Sequence, residues 1–523
     1  MRRRHFALVL VVALLAWASD IAAQTYTVDD PVIERMWQEG MEESQALALA
    51  QVLMDSLGPR LTGTPEYESA QAWVLSTYQN WGVNARNEQY GTWMGWERGI
   101  THIDLVEPRI RSLHGMNLAW SPGTKKKADV ILLPDFADSA SFIAWLPQAK
   151  GKFVAISFPQ PTCRPDDNWE DNATAESFAR MTAERDTARG EWEARYGRMG
   201  VSENDLPKRL EEAGAAGVLT GRGDSPLGWG MMRVFSARTE KVPTLVLSCE
   251  DYGLLARLAM NGQGPVIEVE AKAKFRGEVP VFNTIAEIRG SEKPDEYIVL
   301  SAHFDSWDGG SGATDNGTGT ITILEAMRII QAAYPNPKRT IIAGHWNSEE
   351  QGLNGSRGFA AAHPEVVEGL QALFNQDNGT GRIVNVSMQG LTHAGEYFAR
   401  WLSAVPTEIS QHIDLQVPGR PGGGGSDYAS FVCAGAPSFF LYAHRWSYFP
   451  YTWHTNLDTY DKIVEDDLKN NATLFAMLAY LASEDPERMP RDRRVLSVDP
   501  RTGEQMTWPE CRDPRTWESY RDR

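Results

Sequence analysis

Residues 297–303, Tyr297-Ile298-Val299-Leu300-Ser301-Ala302-His303, decide the fold. A near-continuous apolar run of this length reads as a strand buried on both faces, and the histidine at its end stands where the strand gives way to a loop. Working outward, Thr318 to Ala333 carries apolar residues at helical spacing, and Thr340 to Ala343 is a second strand run. Gly355 to Ala362 begins another helix, Ala372-Leu373-Phe374 leads into a third strand, Pro437 to Tyr442 is a late strand and Glu465 to Ala482 a terminal helix. This alternation from Val281 onward predicts an α/β fold, a mixed sheet with helices on both faces in three layers.

Upstream, Ser44 to Leu57 and Glu66 to Trp81 have helical periodicity, with Gly58-Pro59 as the break between them. Between 121 and 270 short strand runs (Val130 to Leu133, Phe153 to Ile156, Thr244 to Leu247, Val266 to Val269) surround a charged helical stretch from Trp169 to about Arg198. This segment reads as a smaller α/β unit of its own, between the stretches 24–120 and 271–487 that make up the larger domain. Residues 488–523, rich in Pro, Arg and Asp, read as a C-terminal surface tail.

Composition narrows the function classes. Hydrophobic residues are 42% and charged residues 23%, which excludes a largely disordered chain. The net charge of −18 argues against a nucleic-acid partner, because phosphate neutralisation needs clustered Lys and Arg. Residues 1–23 read as an export signal: Arg2-Arg3-Arg4, an apolar run from Phe6 to Ala18, and the small-residue site Ile21-Ala22-Ala23. That run is shorter than the roughly 20 residues a spanning helix needs, so no stable membrane insertion is expected after processing, and the product is secreted or periplasmic. Twin-arginine and ordinary secretion both fit. Four cysteines, with no C-x-x-C pair, suggest neither a thiolate metal site nor a redox site; Cys163 and Cys249 are either bridged or buried thiols.

Five short stretches bear the chemistry: Ser301 to Trp307, Gly312 to Gly317, Asn347 to Gly352, Asn375 to Gly379 and Thr452 to Asn456. Each alone is bland, since a single histidine at a strand end or an Asp-Asn-Gly turn is ordinarily structural. Together they supply what two divalent metals require: His303, Asp315 and Asp377 for one, Asp315, Glu350 and His454 for the other, with Asp315 as the natural bridge. Open positions would leave room for a water acidified by the metals. Of the adjacent pair, Glu350 binds metal and Glu349 serves as general base, passing the proton to the leaving amine. Asp305 is placed to hold the second imidazole nitrogen of His303. Glycines at 309, 310, 312, 317 and 319 allow a tight loop around the ions.

These stretches resemble the dizinc exopeptidases of metallopeptidase family 28. The resemblance is carried by His303-Phe304-Asp305-Ser306-Trp307-Asp308, which closely resembles the plasma glutamate carboxypeptidase branch, and by Gly312 to Asp315, Glu349 to Gly352 and His454 to Thr459. It extends back to Leu57-Gly58-Pro59-Arg60-Leu61-Thr62-Gly63, similar to the family's helical lead-in. The resemblance implies two Zn2+ per chain on His303, Asp315, Glu350, Asp377 and His454, with Glu349 as base. It also implies a protease-associated domain at 121–270 and homodimerisation by analogy. Trp453 stands where many relatives place an oxyanion-stabilising Tyr; Tyr428 is a candidate replacement or a pocket wall.

Ser426 and Tyr428, after the four glycines 422–425, are expected in the substrate pocket. Trp446, Tyr448, Phe449, Tyr451 and Trp453 form either an apolar mouth or aromatic core. Arg420 and Arg445 read as surface residues, although either could pair a substrate carboxylate. The Asn-x-Ser/Thr sequons at Asn316, Asn354 and Asn378 fall in the catalytic loops and read as chance. The expected activity is removal of terminal residues from peptides, aminopeptidase first, with a carboxypeptidase or dipeptidase as the alternative. Glutaminyl cyclase, with one zinc, and a ligand-free receptor of the same architecture are the remaining readings.

Overall fold

The computed structural model describes residues 29–221 and 228–522; the expected export segment lies outside them. Strand Lys293–His303 is buried from residue 297 to its end. Arg339–Trp346 and Leu370–Asn375, both wholly buried, flank it in parallel, and Ser438–Ala443 adds a further parallel strand beyond Leu370–Asn375. Strands covered on both faces need no alternation of apolar and polar residues, which is why these runs read as continuous.

One face is packed by Thr318–Ala333, Glu465–Glu484 and the N-terminal helices Pro31–Trp37 and Ala46–Gln51, around Ile321, Leu324, Leu474 and Phe475. The other is packed by Asn354–Ala362 and Ala429–Val432, around Trp346, Phe359 and Phe431. This is the expected three-layer α/β arrangement on a mixed sheet.

Two long antiparallel strands, Asn84–Glu107 and Val266–Ile288, carry the sheet onward. Thr124–Leu132 joins Val266–Ile288 antiparallel, and Phe153–Ala155, Gly217–Thr220 and Thr244–Leu247 follow in parallel. These strands have apolar clusters of their own, around Phe153, Leu245 and Leu255 and around Phe142, Trp145 and Trp192. Cys163 and Cys249 are bridged within this part.

The stretch after Asp485 is largely exposed yet held at several points. Buried Arg339 donates to the carbonyls of Ala482, Ser483 and Asp485, Cys511 is bonded to Cys433, and Tyr520 packs on Trp93 and Trp120. The second disulfide joins cysteines 78 residues apart and was not foreseen in the sequence. Among the described residues, no helix is long and apolar enough to cross a membrane.

Candidate active site

Because three neighbouring strands run parallel, their carboxyl ends open on one side, the side where open α/β sheets bind ligands. His303 ends Lys293–His303, Glu349 and Glu350 follow Arg339–Trp346, and Asp377 follows Leu370–Asn375. Asp315 arrives on the turn before Thr318–Ala333. That turn closes at Gly312, whose φ is +61° and where a Cβ would lie 2.3 Å from the Ser306 Cβ, so only glycine fits. His454 comes from a late loop and is itself left-handed, with φ +55°, a strained setting of the sort found at functional sites.

The side chains converge as two groups sharing one carboxylate. His303 Nε2 lies 3.0 Å from Asp377 Oδ1 and 3.4 Å from Asp315 Oδ1. His454 Nε2 lies 3.3 Å from Asp315 Oδ2 and 2.8 Å from Glu350 Oε2. Donor atoms on one tetrahedral zinc, each about 2.0–2.1 Å from the ion, sit about 3.3 Å apart, so these spacings suit a shared ion. Glu349 also brings a carboxylate oxygen to the His303–Asp377 pair. Glu350 Oε1 and Asp315 Oδ2 are buried with no hydrogen-bond partner among the described residues. A buried, incompletely paired set of imidazoles and carboxylates fits divalent cations.

The electrostatics follow from burial and crowding. Burial pulls the His303 imidazole toward neutrality, but Asp377, Asp305 and Asp315 hold its pKa well above the usual value. Burial likewise opposes protonation of His454, and Glu350 and Asp315 outweigh it, to about 9. Burial raises Glu350 to about 7, and Glu349 rises well above the carboxylate range through burial, with Asp377, Asp427 and Glu350 adding to the rise. For Asp315 burial is outweighed by the two imidazoles, which hold it below the usual range.

Asp305 takes a different part from the one expected. Its backbone carbonyl, 2.9 Å away, faces His303 Nδ1, while its carboxylate stands 3.7 Å off. That carboxylate instead accepts the backbone N–H groups of Glu349 (3.0 Å) and Glu350 (3.3 Å), so it orients the paired glutamates. Two further residues, in Leu57 to Gly63 and His454 to Thr459, support the site in ways that the sequence does not reveal. Buried Arg60 donates to the carbonyls of Phe304, Ser311 and Gly312, at 2.7, 2.8 and 2.8 Å, and so pins the loop between His303 and Asp315. Asp458 accepts from the Thr314 and Asp315 backbone N–H groups, at 2.7 and 3.0 Å, and fixes the bridging carboxylate from behind.

Around the metal-ligand candidates lies a cleft of about 600 Å³ lined by the glycine loop, Tyr428, Tyr448, Phe449 and Trp453. Trp453 stacks on His454 with ring centroids 3.8 Å apart. The Tyr428 hydroxyl donates to the Gly424 carbonyl at 3.3 Å, bracing the glycine loop, and buried Ser426 accepts from Asn375 Nδ2 at 2.9 Å. Of the expected aromatic mouth, Trp446 is instead exposed and donates to Asp467, and the Tyr451 hydroxyl donates to Asp167. Arg445 lines the cleft. Asn316, Asn354 and Asn378 are buried, as glycan-free residues should be.

The sequence model described as Peptidase family M28 matches residues 283–479, the span that holds all five ligand candidates and Glu349. That span is a peptidase family M28 domain. With that domain the chain is a hydrolase acting on peptide bonds. It is similar to human Carboxypeptidase Q, 25% identical over 456 residues, covering 86% of this chain and 88% of that one. The bovine Carboxypeptidase Q is 26% identical over the same share of each chain. Among solved structures, the Peptidase M28 precursor from Shewanella amazonensis SB2B superposes with a TM-score of 0.63 at 24% identity, covering 88% of this chain and 97% of that one. BSAP, a zinc aminopeptidase from Bacillus subtilis, gives a TM-score of 0.54 at 18% identity over 86% and 96%. Both structures share the fold of this chain.

Proposed function

We propose that the protein is an exported dizinc exopeptidase of short peptides. The observation that carries this reading is Asp315, whose two oxygens face His303 on one side and His454 on the other. His303, Asp315 and Asp377 would hold one zinc, and Asp315, Glu350 and His454 the second. Bound there, the two ions would supply Lewis acidity to the scissile carbonyl and acidify a water.

The chain's own residues do the rest. Glu349 takes the proton of the attacking water on a carboxylate oxygen and hands it to the leaving amine nitrogen. Asp305 holds the backbone from which Glu349 projects, and Trp453 covers the face of His454. Two disulfides suit an oxidising compartment, in keeping with the export signal.

Both exopeptidase readings share this chemistry. The similarity to Carboxypeptidase Q over most of both chains, and the arginines that line the cleft, favour a carboxypeptidase or dipeptidase over the aminopeptidase first expected. The test is zinc content together with mass spectrometry of products from peptides blocked at one end or the other. Two zinc per chain and loss of single residues from N-acetylated peptides support the reading. Processing of free amines only, from the N-terminus, returns the aminopeptidase, and a metal-loaded chain that cuts neither overturns the peptidase.

A further inference from the structure

We propose that Arg357 and Arg512, with Arg515 beside them, form a carboxylate-binding subsite in the catalytic cleft that takes the free C-terminal carboxylate of the substrate peptide. The proposal rests on the hydrolytic reading above and names the substrate feature that site selects.

All three guanidinium-bearing residues line the same cleft as Glu349, Glu350, Asp377 and His454. Arg357 stands on helix Asn354–Ala362, which follows the paired glutamates, and is half-buried. Arg512 and Arg515 come from the C-terminal stretch, tied down nearby. Cys511 is bonded to Cys433, Trp508 Nε1 donates to the Val432 carbonyl at 2.8 Å, and the Arg515 backbone N–H donates to Asn354 Oδ1 at 2.8 Å. Arg515 Nη1 donates to the Gln351 carbonyl at 3.3 Å, and its guanidinium lies flat against Gly352, where a Cβ would come within 3.0 Å of it. The tail therefore delivers these arginines to a defined place beside the catalytic glutamates.

The charge of Arg357 is only partly offset, by Asp427 and Glu349. Burial lowers the pKa of Arg357, and Arg515 and Arg512 lower it further, which marks three like charges gathered together. Among the described residues neither Arg357 nor Arg512 forms an ion pair, although the chain has 69 acidic residues against 51 basic ones. Arg357 is half-buried and Arg512 exposed; bringing like charges together is unfavourable unless an anion completes them, and the planar guanidinium matches a carboxylate in bidentate geometry. Arg357 is close enough to Glu349 to feel its charge. Because Arg357 shares the cleft with the catalytic glutamates, the anion that fits belongs near the bond being cut. A terminal carboxylate meets that requirement in every peptide, and an acidic side chain meets it only in some.

The test compares kcat/KM of the zinc-loaded full chain for a neutral N-acetylated dipeptide, its C-terminal amide, and the amide of the same peptide ending in Glu. The expected result is at least a tenfold preference for the free acid over the neutral amide. Arg357→Gln and Arg512→Gln should each cut that preference about tenfold through KM, and Arg512→Lys should restore part of it. Arg501→Gln, on an exposed part of the tail, should leave it as it was. Preference for the Glu amide over the neutral free acid, abolished by the same variants, would assign the anion to a side chain and overturn the terminal-carboxylate claim. Equal cleavage of acid and amide by the unaltered protein would overturn the subsite altogether. Calorimetry with an N-acetyl amino acid and its amide separates the two levels. Acid-selective binding that Arg512→Gln abolishes, in a protein that cuts nothing, would keep the subsite and sink the peptidase; no acid-selective binding sinks the subsite.

Discussion

The cleft holds an acidic group and a basic group, and the two are assembled by different means. His303, Glu349, Glu350 and Asp377 sit at the carboxyl ends of adjacent parallel strands, so backbone register alone sets them side by side. Arg357, Arg512 and Arg515 meet because a C-terminal segment folds back and is cross-linked to residue 433. A site built on strand ends inherits the rigidity of a buried sheet. A site built from a returning segment depends on whatever ties that segment down, and this difference can be tested from both directions.

The largest effect is expected at the shared ligand. Asp315→Ala removes a donor from both metal groups, so zinc content should fall from two to none or one and peptide cleavage should drop to background. Retention of two zinc ions with activity would show that the groups do not share Asp315. Next comes Glu349→Gln, expected to lower kcat by about 10²–10⁴ with zinc content intact, the range for losing a positioned general base. A parallel loss of zinc would instead make Glu349 a ligand, which its proximity to His303 and Asp377 also allows.

For the basic group, Cys433→Ser with Cys511→Ser should cost about 2–4 kcal/mol of stability. It should also raise KM severalfold for free-acid substrates while kcat changes less than twofold. An equal fall in kcat would mean that the tail supports the acidic group as well. The last effect leaves catalysis aside and concerns the sheet beneath the glutamates. His345, buried and 2.8 Å from the Tyr78 hydroxyl, is pushed by burial down to about 3. Its folded pKa is lower than the ordinary value near 6.5, so the unfolded chain binds the extra proton between those limits. Its stabilising contribution is thus complete above about pH 6.5 and is lost as pH falls toward 3, at no more than about 1.4 kcal/mol per pH unit. Urea unfolding of the protein and of His345→Gln across that window should show a shallower pH slope in the variant.

How much was legible follows the same division. The strand 297–303 could be read because a doubly covered strand is apolar throughout, and the ligands could be read because each lies within a few residues of such a run. The task of Asp305 was read from its distance along the chain to His303. The fold turns its carboxylate toward the amides of residues 349 and 350, a contact across 44 residues that no local spacing encodes. Arg60 and Asp458 stood inside recognisable stretches, but the carbonyls and amides they hold belong to other segments. Arg357, Arg512 and Arg515 carry no periodicity and no strand end to mark them.

The sequence by itself determined the α/β class, the family, and the identities of the metal-ligand candidates and the base. Those follow from hydrophobic period and from donor chemistry, both of which are local properties of a chain. Tertiary structure alone decided that Asp305 orients the glutamates and that three arginines from distant segments share the cleft. Contacts of that kind depend on where separate segments come to rest, and side-chain packing and the Cys433–Cys511 bond set that placement.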